Sequence, residues 1–216
     1  MEFLSDIIGI FLHIDEHLAS VIDQYGTWTY VLLLLVIFCE TGLVVIPFLP
    51  GDSLLFAAGA FAAKGVLSPH LLFILLTIAA IVGDTVNYAI GAFVGPRVFR
   101  ENVRFLKREY LVKAEAFYEK YGAKTIVIAR FIPIIRTFAP FVAGVGKMSY
   151  GRFATYNIFG GILWVALFIY GGYFFGNIAF VQEHFETVIL AIIALSLLPP
   201  LVEWWRGRRA SKEVRQ

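Results

Sequence analysis

Apolar residues alternate with short polar breaks along the whole chain, and the apolar stretches are long. They cover 27–49, 53–63, 71–95, 125–146, 153–180 and 187–205. A helix needs about 20 consecutive apolar residues to cross a bilayer. Three stretches reach this length without an internal proline, except for Pro199 and Pro200 near the end of the last one. They predict transmembrane helices over 71–95, 153–178 and 187–205.

Two other stretches, 27–63 and 125–147, contain helix-breaking residues near their middle. Proline removes a helical hydrogen bond and clashes with the preceding turn. Broken backbone at membrane depth is tolerated only where protein or a water-filled cavity surrounds it. We therefore predict a re-entrant helical hairpin in each stretch. The breaks are expected at Pro47, Pro50 and Gly51 in the first and at Pro133 and Pro140 in the second.

Short matches relate the two halves of the chain. Ile46-Pro47-Phe48-Leu49 recurs as Ile132-Pro133-Ile134-Ile135, Ala58-Gly59 as Ala143-Gly144, and Gly91-x-x-x-Gly95 as Gly172-x-x-x-Gly176. Because one span separates the hairpins, they are expected to enter from opposite sides as an inverted repeat. Transporters of this kind bind substrate near the bilayer midplane. Chance similarity is the alternative, since the matches are short and apolar.

Apolar and charged positions alternate with helical spacing in two further segments, 1–24 and 97–122. This pattern predicts amphipathic helices that lie on the membrane surface.

Composition supports a membrane protein. Of 216 residues, 59% are hydrophobic and 16% charged, and the mean hydropathy is +0.78. Soluble domains carry about 25% charged residues. We therefore expect an all-α integral membrane protein, with 1–216 as one domain, and exclude most soluble enzymes.

The charges are unevenly distributed. Residues 1–63 contain seven Asp or Glu and no Lys or Arg, whereas 97–124 contain eight basic against four acidic residues. The segment 203–216 contains five against two. Basic loops remain on the cytoplasmic side, so the linker 97–122 and the tail 206–216 are predicted to be cytoplasmic. The side of the N-terminus stays open, because 27–46 is long enough to span alone.

Four charged residues fall within 27–63 and 125–146, the apolar parts of the two broken stretches: Glu40, Asp52, Arg130 and Arg136. A charge at the bilayer centre costs at least roughly 2.5–3.5 kcal/mol on insertion scales, so each needs a partner or a wet cavity. The two acids are expected to face the two arginines. Ion pairs that only brace the hairpins are the alternative interpretation.

Each pair suggests a different role. Arginine keeps its charge and presents a planar fork of donors suited to phosphate, so Arg130 and Arg136 are candidate phosphate ligands. A carboxylate in a partly dry site can exchange a proton near neutral pH, so Glu40 or Asp52 is a candidate for proton coupling. Capping of the helix that follows Gly51 is the alternative role for Asp52.

Asp84, Asn87 and Tyr88 form a polar face on the predicted helix 71–95. Such a face points to the interior of a helix bundle, where it either lines a pathway or joins helices.

Enzyme motifs are incomplete. Gly51-Asp52-Ser53-Leu54 matches a hydrolase nucleophile block, but no Asp follows Asp84 to supply the Asp-x-x-His that this chemistry needs. His13-x-x-Glu16-His17 has a zinc-ligand spacing without an evident third ligand. We therefore expect no enzyme activity, metal or cofactor.

Three blocks carry a family resemblance. They are Phe38-Cys-Glu40-Thr-Gly-Leu-Val-Val-Ile-Pro47-Phe-Leu-Pro-Gly-Asp52, Gly83-Asp-Thr-Val-Asn-Tyr88 and Ala129-Arg130-Phe-Ile-Pro133-Ile-Ile-Arg136-Thr-Phe-Ala-Pro140. In these blocks the chain resembles the DedA family of bacterial inner-membrane proteins, which is related to the VTT-domain proteins of eukaryotes. The resemblance implies two facing re-entrant hairpins and movement of undecaprenyl phosphate or phospholipid, supported by the proton-motive force. It also implies that Glu40, Asp52, Arg130 and Arg136 are the essential groups.

The leading expectation is a multi-pass, proton-coupled flippase for a lipid phosphate in the bacterial inner membrane. A proton-coupled antiporter of small ions or solutes and a structural membrane protein are the alternatives. Membrane lipids and protons are the expected partners, with a homo-oligomer as a further candidate and no nucleic acid.

Overall fold

The computed structural model describes residues 26–43, 51–94, 116, 118–185, 187–188 and 191–192. Several sequence predictions lie outside these residues and are not tested. They concern the surface helix 1–24, the breaks at Pro47 and Pro50, most of the linker 97–122, most of the third transmembrane helix 187–205, and the tail 206–216.

Every regular element of the described residues is helical. The helices are α1 (Thr27–Gly42), α2 (Gly51–Ala63), α3 (Pro69–Val94), α4 (Thr125–Ala129), α5 (Pro133–Val145), α6 (Tyr150–Gly176) and α7 (Ala179–Glu183), and a 3-10 turn at Gly122–Lys124 precedes α4. Two of them are long and apolar enough to cross a membrane, over Pro69–Phe93 in α3 and Tyr150–Gly176 in α6. The predicted all-α class is confirmed for this part of the chain.

Helices α1 and α2 are antiparallel and reach only halfway along α3. The backbone N–H of Gly51, at the start of α2, donates to Oε1 of Glu40 near the end of α1, at 3.3 Å. At the other end, the N–H of Ser68 donates to the hydroxyl of Tyr30, at 2.7 Å. The end of α1 lies against the middle of α3, because a Cβ on Gly42 would be 3.3 Å from the Cα of Gly83.

Helices α4 and α5 are separated by a turn at residues 130–132. Pro133 is the first residue of α5, where the missing N–H interrupts no helical bond. The predicted break at Pro140 is wrong, because this residue lies inside α5. Proline is tolerated within membrane helices when neighbouring helices compensate for the freed backbone groups, and Pro140 is buried.

Helix α2 packs closely against α6 through glycines on both helices. A Cβ on Gly59 would meet the carbonyl oxygen of Ile169 and the backbone nitrogen of Tyr173. A Cβ on Gly172 would meet the carbonyl oxygen of Phe56. The two backbones therefore touch without intervening side chains, the kind of contact that small residues permit.

Helix α5 packs against α3 with the same pattern. A Cβ on Gly144 would meet the carbonyl oxygen of Tyr88 and the backbone nitrogen of Ala92. A Cβ on Gly91 would meet the carbonyl oxygen of Phe141. Phe141 precedes Gly144 by three positions, as Phe56 precedes Gly59, so the two helix contacts share the same spacing of phenylalanine and glycine.

The outward face of α3 is apolar and exposed. Leu71, Ile74, Ile78 and Val82 recur every three or four positions and are each 43–52% exposed. Because soluble monomers rarely expose large contiguous apolar patches, this stripe is typical of a surface that contacts lipid.

Candidate functional site

Three charged side chains meet where α1, α2 and α5 approach one another. Arg136 donates from Nη1 to Oδ1 of Asp52, at 2.6 Å, and from Nη2 to Oε1 of Glu40. The side chains of Arg136 and Glu40 are 7% and 3% exposed, whereas that of Asp52 is 31% exposed. Asp52 is therefore the most accessible member of this cluster.

The two acids lie at the adjoining ends of α1 and α2. Glu40 lies in the last turn of α1, and Asp52 lies in the first turn of α2. Gly51 leaves the space that the Glu40 carboxylate occupies, since a Cβ there would overlap it. The N–H of Gly51 also donates to Glu40, so the start of α2 contributes a backbone donor to the site.

The second arginine has different partners. Arg130 donates from Nη2 to Oδ2 of Asp84, at 2.5 Å, and to Oδ1 of Asn157, at 2.6 Å. It is 2% exposed, and its Nε and Nη1 atoms have no hydrogen-bond partner among the described residues. The expected pairing of two acids with two arginines is therefore corrected: both expected acids bind Arg136, and Asp84 neutralises Arg130.

Glycines on α6 accommodate Arg130. A Cβ on Gly160 would lie 3.1 Å from the Cδ of Arg130, and a Cβ on Gly161 would lie 3.5 Å from its Nη2. The guanidinium can therefore lie against the backbone of α6.

Trp164 lies between the two arginines, near the middle of α6. Its indole Nε1–H donates to Oδ1 of Asp52, at 2.9 Å. The Cζ atoms of Arg130 and Arg136 are 5.8 and 5.2 Å from its ring. Trp164 is thus adjacent to both charged clusters.

Asn87, at the middle of α3, joins the end of α1 to the first part of α5. Its Nδ2 donates to the carbonyl oxygens of Thr41, at 3.1 Å, and Thr137, at 2.9 Å. The last carbonyls of a helix lack helical donors, and Thr41 is such a residue at the end of α1. Asn87 therefore holds α1 and α5 at the same level of α3.

Tyr88 has a different environment. Its hydroxyl donates to the carbonyl oxygen of Met148, and its ring stacks on Phe153 at 4.4 Å between centroids. Of the three predicted pathway residues, Asp84 belongs to the charged site, Asn87 joins the hairpins, and Tyr88 anchors the end of α5 to α3.

Tyr118 connects the segment before α4 to α5. Its hydroxyl donates to the carbonyl oxygen of Ala139, at 2.9 Å. Burial, and to a smaller extent the charge of Asp84, raise the pKa of Tyr118 above its ordinary value, so the phenol remains a neutral donor.

Sequence reasoning missed Asn157 and Trp164. A signal was present in the spacing Asn157-x-x-Gly160-Gly161-x-x-Trp164. Positions i, i+3, i+4 and i+7 share one helix face, so a polar, small and aromatic face lies within an apolar span. Their partners are distant in sequence, however, and only the tertiary structure identifies them.

A groove lies beside Asp52. It has a volume of about 290 Å³. Apart from Asp52 and Ser53, its lining is apolar and consists of Phe56, Phe168, Phe175 and Ile192.

The described residues contain no group of three or more His, Cys, Asp or Glu placed to hold a metal ion. The His13, Glu16 and His17 motif lies outside them.

Comparisons with known proteins agree on one family. The family model described as the VTT domain matches residues 49–174. Protein DedA of Escherichia coli strain K12 is 53% identical over 214 residues, which cover 98% of each chain. The uncharacterized membrane protein Rv0364 of Mycobacterium tuberculosis is 43% identical to this chain. The match covers 85% of this chain and 82% of the length of Rv0364. The inner membrane protein YqjA of E. coli strain K12 is 32% identical over 85% of this chain and 87% of its own. No solved structure matches.

Proposed function

Because the chain belongs to the DedA family of VTT-domain membrane proteins, we propose that it is a proton-coupled flippase for a lipid phosphate. Undecaprenyl phosphate and phospholipids are the proposed substrates. The observation that carries this proposal is the meeting of two buried arginines with three carboxylates, of which Asp52 is partly exposed, halfway along the apolar helices α3 and α6.

The proposed architecture is an inverted repeat of two re-entrant hairpins. Contacts along α3 support it: Tyr30 and Ser68 meet near its start, Asn87 holds both tips near its middle, and Gly144 packs near its end. The equivalent glycine contacts of α2 on α6 and of α5 on α3 support a repeat. In this arrangement each hairpin enters from one side, and the site between them can open to either side.

The orientation follows from charge. With the basic linker and tail in the cytoplasm, the second hairpin enters from the cytoplasmic side and the first from the periplasmic side. YqjA is called an inner membrane protein, which supports the same bilayer for this chain.

The arginines are proposed to bind the phosphate by different routes. The Nε and Nη1 donors of Arg130 have no hydrogen-bond partner among the described residues, so within this part of the chain Arg130 needs to release no partner before it binds an oxyanion. Arg136 must exchange Asp52 or Glu40 for the phosphate, because both carboxylates occupy its fork. A bidentate guanidinium–phosphate contact is of the same charge-assisted kind as the carboxylate contacts that it would replace.

The acid count supports proton coupling. Glu40, Asp52 and Asp84 are three carboxylates, whereas Arg130 and Arg136 supply two positive charges. An unbalanced charge inside a membrane is costly, and one bound proton would balance the site. Glu40 is suited to carry it, because its Oε2 atom is buried without a partner among the described residues.

The groove beside Asp52 favours a lipid over a small ion. Its apolar lining lies next to the most exposed charge of the site, so an acyl or prenyl chain can remain in an apolar environment while its headgroup reaches Arg136. A free ion would gain nothing from four apolar side chains in this position.

Reconstitution into liposomes tests the proposal. Labelled undecaprenyl phosphate or phospholipid should change leaflets at least tenfold faster with the protein than in empty vesicles. Arg130→Ala and Arg136→Ala should lose this acceleration. Arg152→Ala should keep it, since Arg152 is an exposed arginine near the start of α6.

The alternatives give other results. An antiporter would carry an ion-dependent proton flux that Glu40→Gln and Asp52→Asn diminish, without lipid movement. A structural protein, in which the ion pairs only hold the helices together, would support neither lipid movement nor proton flux. The same variants would then only lower its thermal stability. Equal lipid movement by the parent and both arginine variants would disprove the flippase proposal.

A further inference from the structure

Trp164 has a set of contacts that packing alone does not require. It is fully buried, and its single hydrogen-bond donor binds a carboxylate oxygen of Asp52. Its ring lies within about 6 Å of two guanidinium groups, the range in which a cation is attracted to an aromatic face.

The Asp52 oxygen that accepts the indole N–H is the one that Arg136 binds. Oδ1 of Asp52 is 2.6 Å from Nη1 of Arg136 and 2.9 Å from Nε1 of Trp164. If Arg136 turns to a phosphate, Asp52 loses its charged donor but keeps the neutral one. Asp52 is partly buried, and a polar group that is removed from water without a hydrogen-bond donor is destabilised, so the indole bond makes this exchange easier.

The position of Trp164 suits such a role. It lies on the spanning helix α6, whereas Asp52 and Arg136 lie on separate hairpins. Its ring attracts both arginines without offering an anion, so it favours keeping a guanidinium in the site after the carboxylate contact has broken. We propose that Trp164 is a positioning residue that holds Asp52 in place while Arg136 exchanges it for the headgroup phosphate.

The first test does not depend on lipid movement. Dicyclohexylcarbodiimide modifies protonated carboxyl groups in apolar surroundings, and mass spectrometry of peptides measures its rate at Asp52. Trp164→Phe keeps an aromatic ring but removes the donor. It should raise this rate at pH 7 at least threefold, because Oδ1 of Asp52 then loses one of the two donors that hold it and is freer to react. The other charged groups around Asp52 are Glu40 on α1 and Arg136 on α5, with Arg130 and Asp84 beyond the indole ring, and all remain unchanged.

Trp28→Phe is the matched control, because Trp28 is 69% exposed on α1. In this variant, Asp52 should be labelled at the same rate as in the parent. If Trp164→Phe does not fold, a benzothienyl analogue of tryptophan at position 164 removes the N–H and preserves the shape. A labelling rate equal to that of the parent, in whichever variant folds, overturns the proposal.

The second test rests on the proposed function. In liposomes, Trp164→Phe should lower the maximal rate of lipid-phosphate movement about tenfold and change the half-saturating lipid concentration less than twofold. A residue that only fills space would lower the rate in proportion to the loss of folded protein. Raised labelling with a parental maximal rate would overturn the proposal, because the indole bond would then not contribute to transport. If the parent moves no lipid, the proposed function fails, and the labelling alone decides whether Trp164 positions Asp52.

Discussion

Arg136 connects three helices through one guanidinium, and this geometry predicts what a conservative change would do. Arg136→Lys keeps the charge but lacks the planar fork that reaches Asp52 and Glu40 together. Losing one hydrogen bond to a charged group should lower the free energy of unfolding by about 1.5–3 kcal/mol, measured by denaturant titration in mixed micelles. Arg152→Lys, an exposed change, should be neutral. Equal stability of the parent and Arg136→Lys would show that the second carboxylate contact contributes nothing.

Asp84 is predicted to be the counter-ion on which Arg130 depends. Asp84→Asn keeps an acceptor near Nη2 but removes the negative charge. Removing one partner of a buried pair costs about 3–5 kcal/mol, and the remaining acceptor places the expected loss near the lower end. Thermal unfolding of the purified variant checks this, with the exposed Glu119→Gln as control. A parental melting temperature for Asp84→Asn would mean that Arg130 is neutralised by another group.

At the scale of single residues, the sequence predicted which charged residues would lie close together better than it predicted how they pair. Charges are rare within apolar stretches, so Glu40, Asp52, Arg130 and Arg136 were evident from position alone. The pairing of Arg130 with Asp84 was not, because Asp84 lies on a spanning helix and its distance from Arg130 depends on how α3 meets the second hairpin.

At the scale of helices, the glycine contacts make a prediction about both halves of the chain. Gly59→Ala and Gly144→Ala each place a methyl group against backbone atoms of a neighbouring helix. Overpacking of this kind should lower the free energy of unfolding by about 1–3 kcal/mol to a similar extent in both variants.

Gly151→Ala is the control for this pair, because a Cβ there meets nothing within 4 Å. Because alanine has a higher helix propensity than glycine, this change should instead raise the free energy of unfolding by up to about 1 kcal/mol. If Gly59→Ala were destabilising and Gly144→Ala neutral, the two helix contacts would not be equivalent in energy. Chemical denaturation of the three variants in the same detergent gives the comparison.

The two prolines of the second hairpin show where reasoning from local sequence fails. Pro133 follows a turn and starts α5, as a proline at the first helical position should. Pro140 has the same local chemistry yet lies within the helix. The contacts of α5 with α3 involve residues about 50 positions away along the chain, and local sequence does not contain this information.

At the scale of the whole molecule, two pairs of described helices share one pattern of glycine contacts, whereas the charges are distributed unequally. Equivalent glycines join α2 to α6 and α5 to α3, but the first hairpin supplies the acids Glu40 and Asp52 and the second supplies both arginines. Relative movement of the hairpins must therefore break or form ion pairs. A transporter can couple a proton to such a movement, because protonation of an acid weakens its pair.

Glu40→Gln tests this coupling in the complete protein. The amide oxygen can still accept from Gly51 and Arg136, so the site should keep its shape while position 40 can no longer exchange a proton. In liposomes, an imposed proton gradient should accelerate lipid-phosphate movement by the parent at least fivefold, and a protonophore should abolish this effect. Glu40→Gln should move lipid at one rate under both conditions. The exposed Glu183→Gln should respond like the parent. A gradient response that survives in Glu40→Gln would assign the coupled proton to Asp52 or Asp84, and Asp52→Asn and Asp84→Asn would then identify which.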